Sequence, residues 1–309
     1  MAGRITAEMF RGVWSATPTP FTDNMELDAG SVKRMVEHHL RLGVKGLFLA
    51  GTCGEGAWMT GRQRRQLVRA AARCSRGRLV LAVQVTDNSP QRILENMRAA
   101  ADDGADIAVI AGPFYLLNAT PRNVLNVFLQ AIRRSPLPVG IYDRGKDAPV
   151  PVPNEILGEI YTQKNVVLVK DSSKDPARMR IALAARARRP QLRLMSGDEN
   201  DCVSYLQAGY DGLLLGGAIF NGYLANKIVE AVKAGDIALA RRRQERMNRL
   251  MYAVYGGSSA ACWLAGEKKL LVEMGIFRTW KNYLQYRLTA SCEHAISRLL
   301  REDRDVLLP

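Results

Sequence analysis

The sequence predicts a closed (β/α)₈ TIM barrel followed by a C-terminal helical appendage. Three observations lead there. Short apolar runs alternate eight times with segments of helical spacing, the pattern of parallel strands joined by crossover helices. No G-x-G-x-x-G follows the first run, which weighs against a doubly wound open sheet, the alternative. After Gly235 the strand-like runs stop and only helical spacing continues.

The strand candidates are residues 13–17, 46–50, 79–85, 106–111, 139–143, 166–170, 192–196 and 212–216. Most are near-continuous apolar runs, as strands buried on both faces require. Helical spacing fills 32–42, 63–74, 91–103, 121–134, 153–161, 176–189, 201–208 and 223–234. Pro90, Pro121 and Pro176 stand at or near helix starts, where the missing N–H has no intrahelical partner to lose. Gly43 and Gly104 stand where a helix end takes a left-handed residue. Residues 236–255, 260–274 and 289–301 read as three further helices, with Gly256-Gly257-Ser258-Ser259 as a break between two of them. The expected division is residues 1–235 as the barrel carrying the active site and 236–309 as the helical region.

With 47% hydrophobic and 24% charged residues, the chain has the composition of an ordinary globular protein. No apolar run is long enough for a membrane span, and residues 1–10, with Arg4 and Glu8, have no apolar core of a signal peptide. The five cysteines are scattered, odd in number and lack a C-x-x-C pair. Reduced thiols in a cytoplasmic protein are expected, not a disulfide framework or a zinc site. The net charge of +14 raises nucleic-acid or membrane-surface binding. Yet the arginines lie on several predicted helices (Arg62, Arg64, Arg65 and Arg69; Arg186, Arg188 and Arg189; Arg241, Arg242 and Arg243) without interleaved aromatics. Solvated helix faces account for them better. Neither nucleic acid nor membrane is expected as a partner, and the positive field would favour an anionic substrate.

The most informative feature is Lys170, which closes the run Val166-Val167-Leu168-Val169. Burial disfavours an ammonium, and an uncharged lysine amine can attack a carbonyl carbon to form a Schiff base. A lysine snorkelling at a strand end is the plain alternative. In a barrel of this kind, function sits at the C-terminal ends of the strands. Strand two ends in Gly51-Thr52-Cys53-Gly54-Glu55-Gly56, a glycine-rich turn whose N–H groups, just ahead of a helix, suit a carboxylate as well as a phosphate. Without a P-loop lysine, nucleotide binding is not expected. Strand four ends in Gly112-Pro113-Phe114-Tyr115 and strand eight in Gly216-Gly217. Tyr142, ending strand five, would neighbour Lys170 and could move protons during imine formation, or simply be a rim tyrosine. Ser196-Gly197-Asp198-Glu199 ends strand seven; its two carboxylates either accept hydrogen bonds from substrate hydroxyls or complement a helix dipole. His38, His39 and His294 fall on predicted helices away from strand ends, and no cluster has metal-ligand spacing. No G-x-S-x-G elbow occurs. No metal and no cofactor are expected.

Together these pieces resemble the dihydrodipicolinate synthase/N-acetylneuraminate lyase family, over most of the chain from about Gly12 onward. The resemblance runs through Ala16-Thr17-Pro18-Thr19-Pro20-Phe21, Gly51-Thr52-Cys53-Gly54-Glu55, Tyr142, Lys170 and Ser196-Gly197-Asp198. It implies a (β/α)₈ barrel with C-terminal helices, usually a homotetramer built as a dimer of dimers, and a Schiff base between Lys170 and a 2-oxo acid, often pyruvate. It implies Tyr142 as the acid/base residue, Thr52 in the proton relay and Tyr115 as the tyrosine that crosses to a neighbouring subunit. Backbone N–H groups at Thr52 and Cys53, beside Gly51, would hold the 2-oxo acid carboxylate. Ser172, Ser196, Asp198, Glu199 and Gly216 complete the implied substrate-binding set, with Asp198-Glu199 similar to the acidic pair by which sialic acid lyases hold a polyol tail.

The departures concern the substrate. Cys53 replaces the family's second threonine, and Gly56 the serine that often follows the glutamate. Asp143-Arg144-Gly145-Lys146-Asp147 replaces Asn-x-Pro after the tyrosine. Asp147-Ala148 stands where dihydrodipicolinate synthases place an arginine on the aldehyde substrate's carboxylate, leaving Arg144 or Lys146 to take that part. The expected function is a Schiff-base lyase, aldolase or dehydratase, on a 2-keto-3-deoxy sugar acid or related hydroxylated acid, with pyruvate as product or co-substrate. The alternatives are a 4-hydroxy-tetrahydrodipicolinate synthase, condensing pyruvate with aspartate semialdehyde, and a non-catalytic barrel that binds a 2-oxo acid.

Overall fold

The computed structural model describes residues 7–309. Residues 1–6, part of the segment read for a leader, lie outside the described residues. Eight parallel strands close in sequence order: β1 (Gly12–Ala16), β2 (Gly46–Leu49), β3 (Val80–Gln84), β4 (Ile107–Ala111), β5 (Val139–Asp143), β6 (Val166–Asp171), β7 (Arg193–Ser196) and β8 (Gly212–Leu215), with β8 pairing back onto β1. The barrel helices are α1 (Ala29–Arg41), α2 (Gly61–Ser75), α3 (Pro90–Asp102), α4 (Pro121–Arg133), α5 (Asn154–Tyr161), α6 (Pro176–Arg188), α7 (Cys202–Gln207) and α8 (Ala218–Lys233). Then come α9 (Ile237–Tyr255), α10 (Trp263–Glu273), α11 (Ala290–Glu302) and the short α12 (Arg304–Leu307), which no sequence period indicated.

Alternation along the strands divides the core in two. One face of each strand fills the barrel interior, with Trp14, Phe48, Val80, Ala82, Val109, Leu168, Met195 and Leu214. The other packs against the surrounding helices, as Val13, Leu47, Val83, Ile141 and Val169 do. Every strand is therefore buried on both sides, which is why the runs read as continuously apolar. Pro90, Pro121 and Pro176 do begin their helices. Gly43 and Gly104 follow α1 and α3 with φ of 74° and 98°.

Two local expectations are corrected. The glycine-rich turn after β2 does not run straight into a helix. Residues 57–60 intervene, and α2 is opened by a capping box between Thr60 and Gln63. The N-cap of α7 is Asp201, whose side chain accepts from the Ser204 N–H, so Asp198 and Glu199 are not the capping pair. In addition α8 begins at Ala218, ahead of the expected 223, because residues 218–222 are all buried and show no amphipathic period.

Candidate active site

Lys170 and Leu168 share a strand face, so Lys170 points into the barrel, at its open end. Tyr142 on β5 also faces inward and is the register partner of Lys170. The Lys170 Nζ lies 4.4 Å from the Tyr142 ring centroid and 4.8 Å from that of Phe48. Two electron-rich faces thus flank an amine that is only 5% exposed. The Tyr142 hydroxyl in turn lies 3.5 Å from Thr52 Oγ1. Lysine, tyrosine and threonine therefore form one line from β6 across β5 to the turn after β2.

Outward-facing acids secure the same strand ends. Asp143 accepts from Arg178 Nη1 at 2.6 Å, the Tyr161 hydroxyl at 2.8 Å and the Gly145 N–H at 2.9 Å. Asp171 accepts from the Tyr210 hydroxyl at 2.6 Å and from Ser173 Oγ and N–H at 2.7 and 2.9 Å. Burial raises the Asp171 pKa, although those hydrogen bonds pull it down. These acids pin the backbone that carries Tyr142 and Lys170.

The turn after β2 is held from both sides. Thr19 Oγ1 donates to the Gly54 carbonyl at 2.6 Å. Glu55, at φ 58°, pairs with Lys268 of α10 and accepts from the Tyr283 N–H at 2.6 Å. Lys268 also donates to the Lys281 carbonyl at 2.8 Å. A Cβ at position 56 would overlap the Ala50 carbonyl, so this turn accepts only glycine there. That accounts for Gly56 in place of the family's serine.

A cavity of about 500 Å³ opens above the lysine. Thr52, Cys53, Tyr142, Lys170, Ser172, Glu199 and Gly216 line it among the residues expected from the sequence. Gly51 lines an adjoining smaller cavity with Thr52 and Tyr142. Ser196 is fully buried, and its hydroxyl accepts from the Asp198 N–H at 3.1 Å. Asp198 accepts from the Asn200 N–H at 3.0 Å and faces Lys174 at 3.8 Å; it does not line the cavity. Glu199 takes the wall position, with Oε1 accepting from the Gly217 N–H at 2.9 Å and the Tyr255 hydroxyl 3.5 Å from Oε2. Burial raises its pKa, opposed by the Gly217 and Gly216 N–H groups and the nearby Lys170 charge. Tyr115 is not brought to this cavity: it is 62% exposed, tied down by its N–H to Asn88 Oδ1 at 2.9 Å.

Of the remaining wall, only Arg144 is among the residues that the sequence offers for substrate binding. Arg144, Asp147, Lys174 and Asn200 come from loops, and Met251, Tyr252, Tyr255 and Trp263 from the C-terminal helices. One face of α9 grips the loop carrying Glu199. Gln244 donates to the Glu199 carbonyl at 2.8 Å, Asn248 to the Asn200 carbonyl at 3.1 Å, and the Tyr252 hydroxyl to Asn200 Oδ1 at 3.1 Å. Gln244, Asn248, Tyr252 and Tyr255 recur at helical spacing, a polar stripe that a solvated helix face would show equally.

A family model described as the dihydrodipicolinate synthetase family matches residues 9–276. The chain belongs to that family. It is 29% identical over 254 residues to a 4-hydroxy-tetrahydrodipicolinate synthase of Phenylobacterium zucineum, covering 82% of this chain and 85% of the relative. It is 26% identical over 282 residues to an N-acetylneuraminate lyase of Salmonella paratyphi B, covering 91% and 88%. The crystal structure of a dihydrodipicolinate synthase from Thermotoga maritima superimposes with a TM-score of 0.86 at 23% identity, over 96% of this chain and 99% of that one. The sequence resemblance and the barrel are thereby borne out. Relatives of two different activities match at similar identity, so family membership fixes a lyase-type scaffold and leaves the substrate to the site. Among the described residues no group of histidine, cysteine and acidic side chains has the arrangement of a metal centre. No helix there is long and apolar enough to cross a membrane.

Proposed function

We propose that the protein is a Schiff-base-forming lyase whose substrate is a 2-keto-3-deoxy sugar acid or a related hydroxylated 2-oxo acid, with pyruvate as product or co-substrate. The observation that carries this reading is the inward, register-paired placement of Lys170 and Tyr142 beneath a polar cavity, with the Thr52 hydroxyl 3.5 Å from the phenol. In this mechanism the Lys170 amine adds to the C2 carbonyl and water departs. The resulting iminium draws electrons from C3, so that C3 loses a proton or its bond to C4. Tyr142 carries protons at the imine, with Thr52 orienting the phenol. The carboxylate of the 2-oxo acid rests on the N–H groups of Thr52 and Cys53. Ser172, Glu199 and Asn200 supply hydrogen-bonding groups for hydroxyls further along the substrate. No metal or cofactor enters the scheme, and the assembly proposed from the family resemblance is a cytoplasmic homotetramer in which Tyr115, exposed in the single chain, meets a neighbouring subunit.

A second reading has its own support. Arg144 lines the cavity beside Tyr142 and has no acidic partner among the described residues, so it could hold the carboxylate of an aldehyde co-substrate, as in condensation of pyruvate with aspartate semialdehyde. The test is intact-mass spectrometry after borohydride reduction with pyruvate, then with a panel of 2-keto-3-deoxy sugar acids, on wild type and Lys170→Ala. The expected result is an adduct on wild type alone. No adduct with any 2-oxo acid would overturn the lyase reading in favour of a barrel that binds without turnover.

A further inference from the structure

β3 ends on Gln84, a polar residue that points into the barrel. Val80 and Ala82 face the interior, so Gln84, two residues further on, faces inward too, at the end of the barrel where function sits. Its register partner on β4, Val109, is likewise an interior residue. Gln84 is only 7% exposed, and its Oε1 is buried with no hydrogen-bonding partner among the described residues. A buried amide kept this way is costly, whereas a methionine of similar length would fill the same place without that loss. Packing therefore gives no reason for glutamine at this position, and a bound polar ligand gives one.

That ligand has a place to sit. Gln84 lines the smaller cavity, of about 120 Å³, together with Thr52 and Tyr142, whose hydroxyls lie 3.5 Å apart. Ala111 of β4 stands between Gln84 and Tyr142 around the barrel and is the register partner of Tyr142; its small side chain leaves the gap open. Thr52 and Tyr142 also border the larger cavity above Lys170, so the hydroxyl pair joins the two spaces. Trp58 and Phe114, both partly exposed, stand on the outer side, and the smaller cavity thus leads from the hydroxyl pair toward solvent. The space is well below the size of a pocket for a sugar acid, but it has room for several water molecules. The Gln84 amide and the two hydroxyls supply the polar partners that such waters need. Turning the amide over exchanges its oxygen and nitrogen, so it presents a donor or an acceptor to the cavity as required.

We propose that Gln84 is a positioning residue for the proton relay: it fixes water in the smaller cavity against Thr52 and Tyr142, and this water connects the phenol to solvent. The proposal rests on the Schiff-base reading above. As the imine forms, the carbinolamine on Lys170 loses its hydroxyl, which takes the Tyr142 proton and departs as water. The phenolate then takes the Thr52 proton, Thr52 takes one from the cavity water, and the hydroxide left behind takes one from solvent. Each O–H bond broken is replaced, and every group returns to its starting state. A proton taken up by Tyr142 leaves by the same steps in reverse. The amide keeps its own protons throughout and acts on the reaction through the water that it orients.

The experiment compares wild type with Gln84→Met, which keeps the length and removes the amide, and Gln84→Asn, which keeps an amide and leaves room for a further water. Rapid mixing with pyruvate, followed by borohydride trapping, measures the rate of imine formation. That rate is expected to fall by about tenfold in Gln84→Met, a fraction of what the acid–base group itself supplies, and by less in Gln84→Asn. The solvent isotope effect on the rate should be larger in Gln84→Met than in wild type, because proton delivery becomes the slow step. The Kd for pyruvate and the final amount of adduct should be unchanged. The urea midpoint of Gln84→Met should be no lower than that of wild type, since a buried amide without a protein partner has been removed. An unchanged rate of imine formation in Gln84→Met would overturn the proposal, as would an unchanged isotope effect. A raised Kd for pyruvate would place Gln84 among the substrate-binding groups and overturn it too. Equal slowing in both variants with lowered urea midpoints would make Gln84 a packing residue, with the same consequence. If wild type forms no adduct with pyruvate, the Schiff-base reading itself fails and the proposal falls with it.

Discussion

At the scale of single residues, the placement of the two groups proposed to react was legible because a strand imposes a period of two. Leu168 fills the interior, so Lys170 two residues on must face the same way, and register then sets Tyr142 beside it. Tyr142→Phe is expected to leave binding of a 2-oxo acid nearly unchanged and to slow turnover by roughly 10²–10⁴-fold, since the ring stays and only the proton carrier is lost. Comparing Kd for pyruvate with kcat checks this, and near-normal kcat would remove Tyr142 from the chemistry. Arg144→Gln should raise KM for a substrate bearing a second anionic group while sparing pyruvate binding, because no acid among the described residues engages that guanidinium. Equal KM effects on singly and doubly charged substrates would contradict it. Glu267 and Lys268 were not legible. Charged residues on a helix are seldom fully buried, and only tertiary packing reveals that Glu267 and Lys268 are.

Among the elements, β strands and crossover helices were readable from their periods, whereas the contribution of the C-terminal helices to the site was not. A helix advertises its apolar stripe, but the polar residues Gln244, Asn248 and Tyr252 look like solvent-facing positions until the loop at 198–202 is seen to rest on them. The start of α8 was missed for the converse reason, since a first turn buried all round, as residues 218–222 are, has no amphipathic stripe to read. One buried link between appendage and barrel is the Lys268–Glu55 pair, which joins α10 to the turn carrying Thr52 and Cys53. Lys268→Met would leave Glu55 buried with only the Tyr283 N–H, a change expected to cost about 3–5 kcal/mol. Replacing both partners, as Lys268→Met with Glu55→Gln, should recover part of that loss because no uncompensated charge remains. Denaturant unfolding of the two variants measures the difference. A double variant no more stable than Lys268→Met would mean that the pair acts through shape and not charge.

For the whole molecule, pH acts on buried groups of opposite sign, and their balance shapes stability. His38 and His39 on α1 are buried; desolvation lowers their pKa values to about 4 and about 3. Each uses one ring nitrogen, at 2.8 Å from the Ile219 and Met35 carbonyls respectively, and leaves the other without a partner among the described residues, as a neutral ring can. Below pH 6.5 the unfolded chain takes up protons that these rings refuse when folded. Their contribution is therefore full above about pH 6.5 and lost as pH falls toward about 4, worth about 3 kcal/mol for His38 alone. Buried carboxyls with raised pKa values, Asp171, Glu199 and Glu267, act the other way: the folded state holds their protons more tightly, so acidification from neutral favours folding. The raw stability profile mixes the two, and a difference profile separates them. In His38→Gln/His39→Leu the carboxyl contribution remains and the histidine contribution is gone. The stability of wild type relative to that variant should therefore decline by about 3 kcal/mol or more between pH 6.5 and 4, followed by urea unfolding at steps of pH. A difference that stays constant across that window would mean that the two rings are protonated in the folded protein, and that α1 carries buried charge between the barrel and α8.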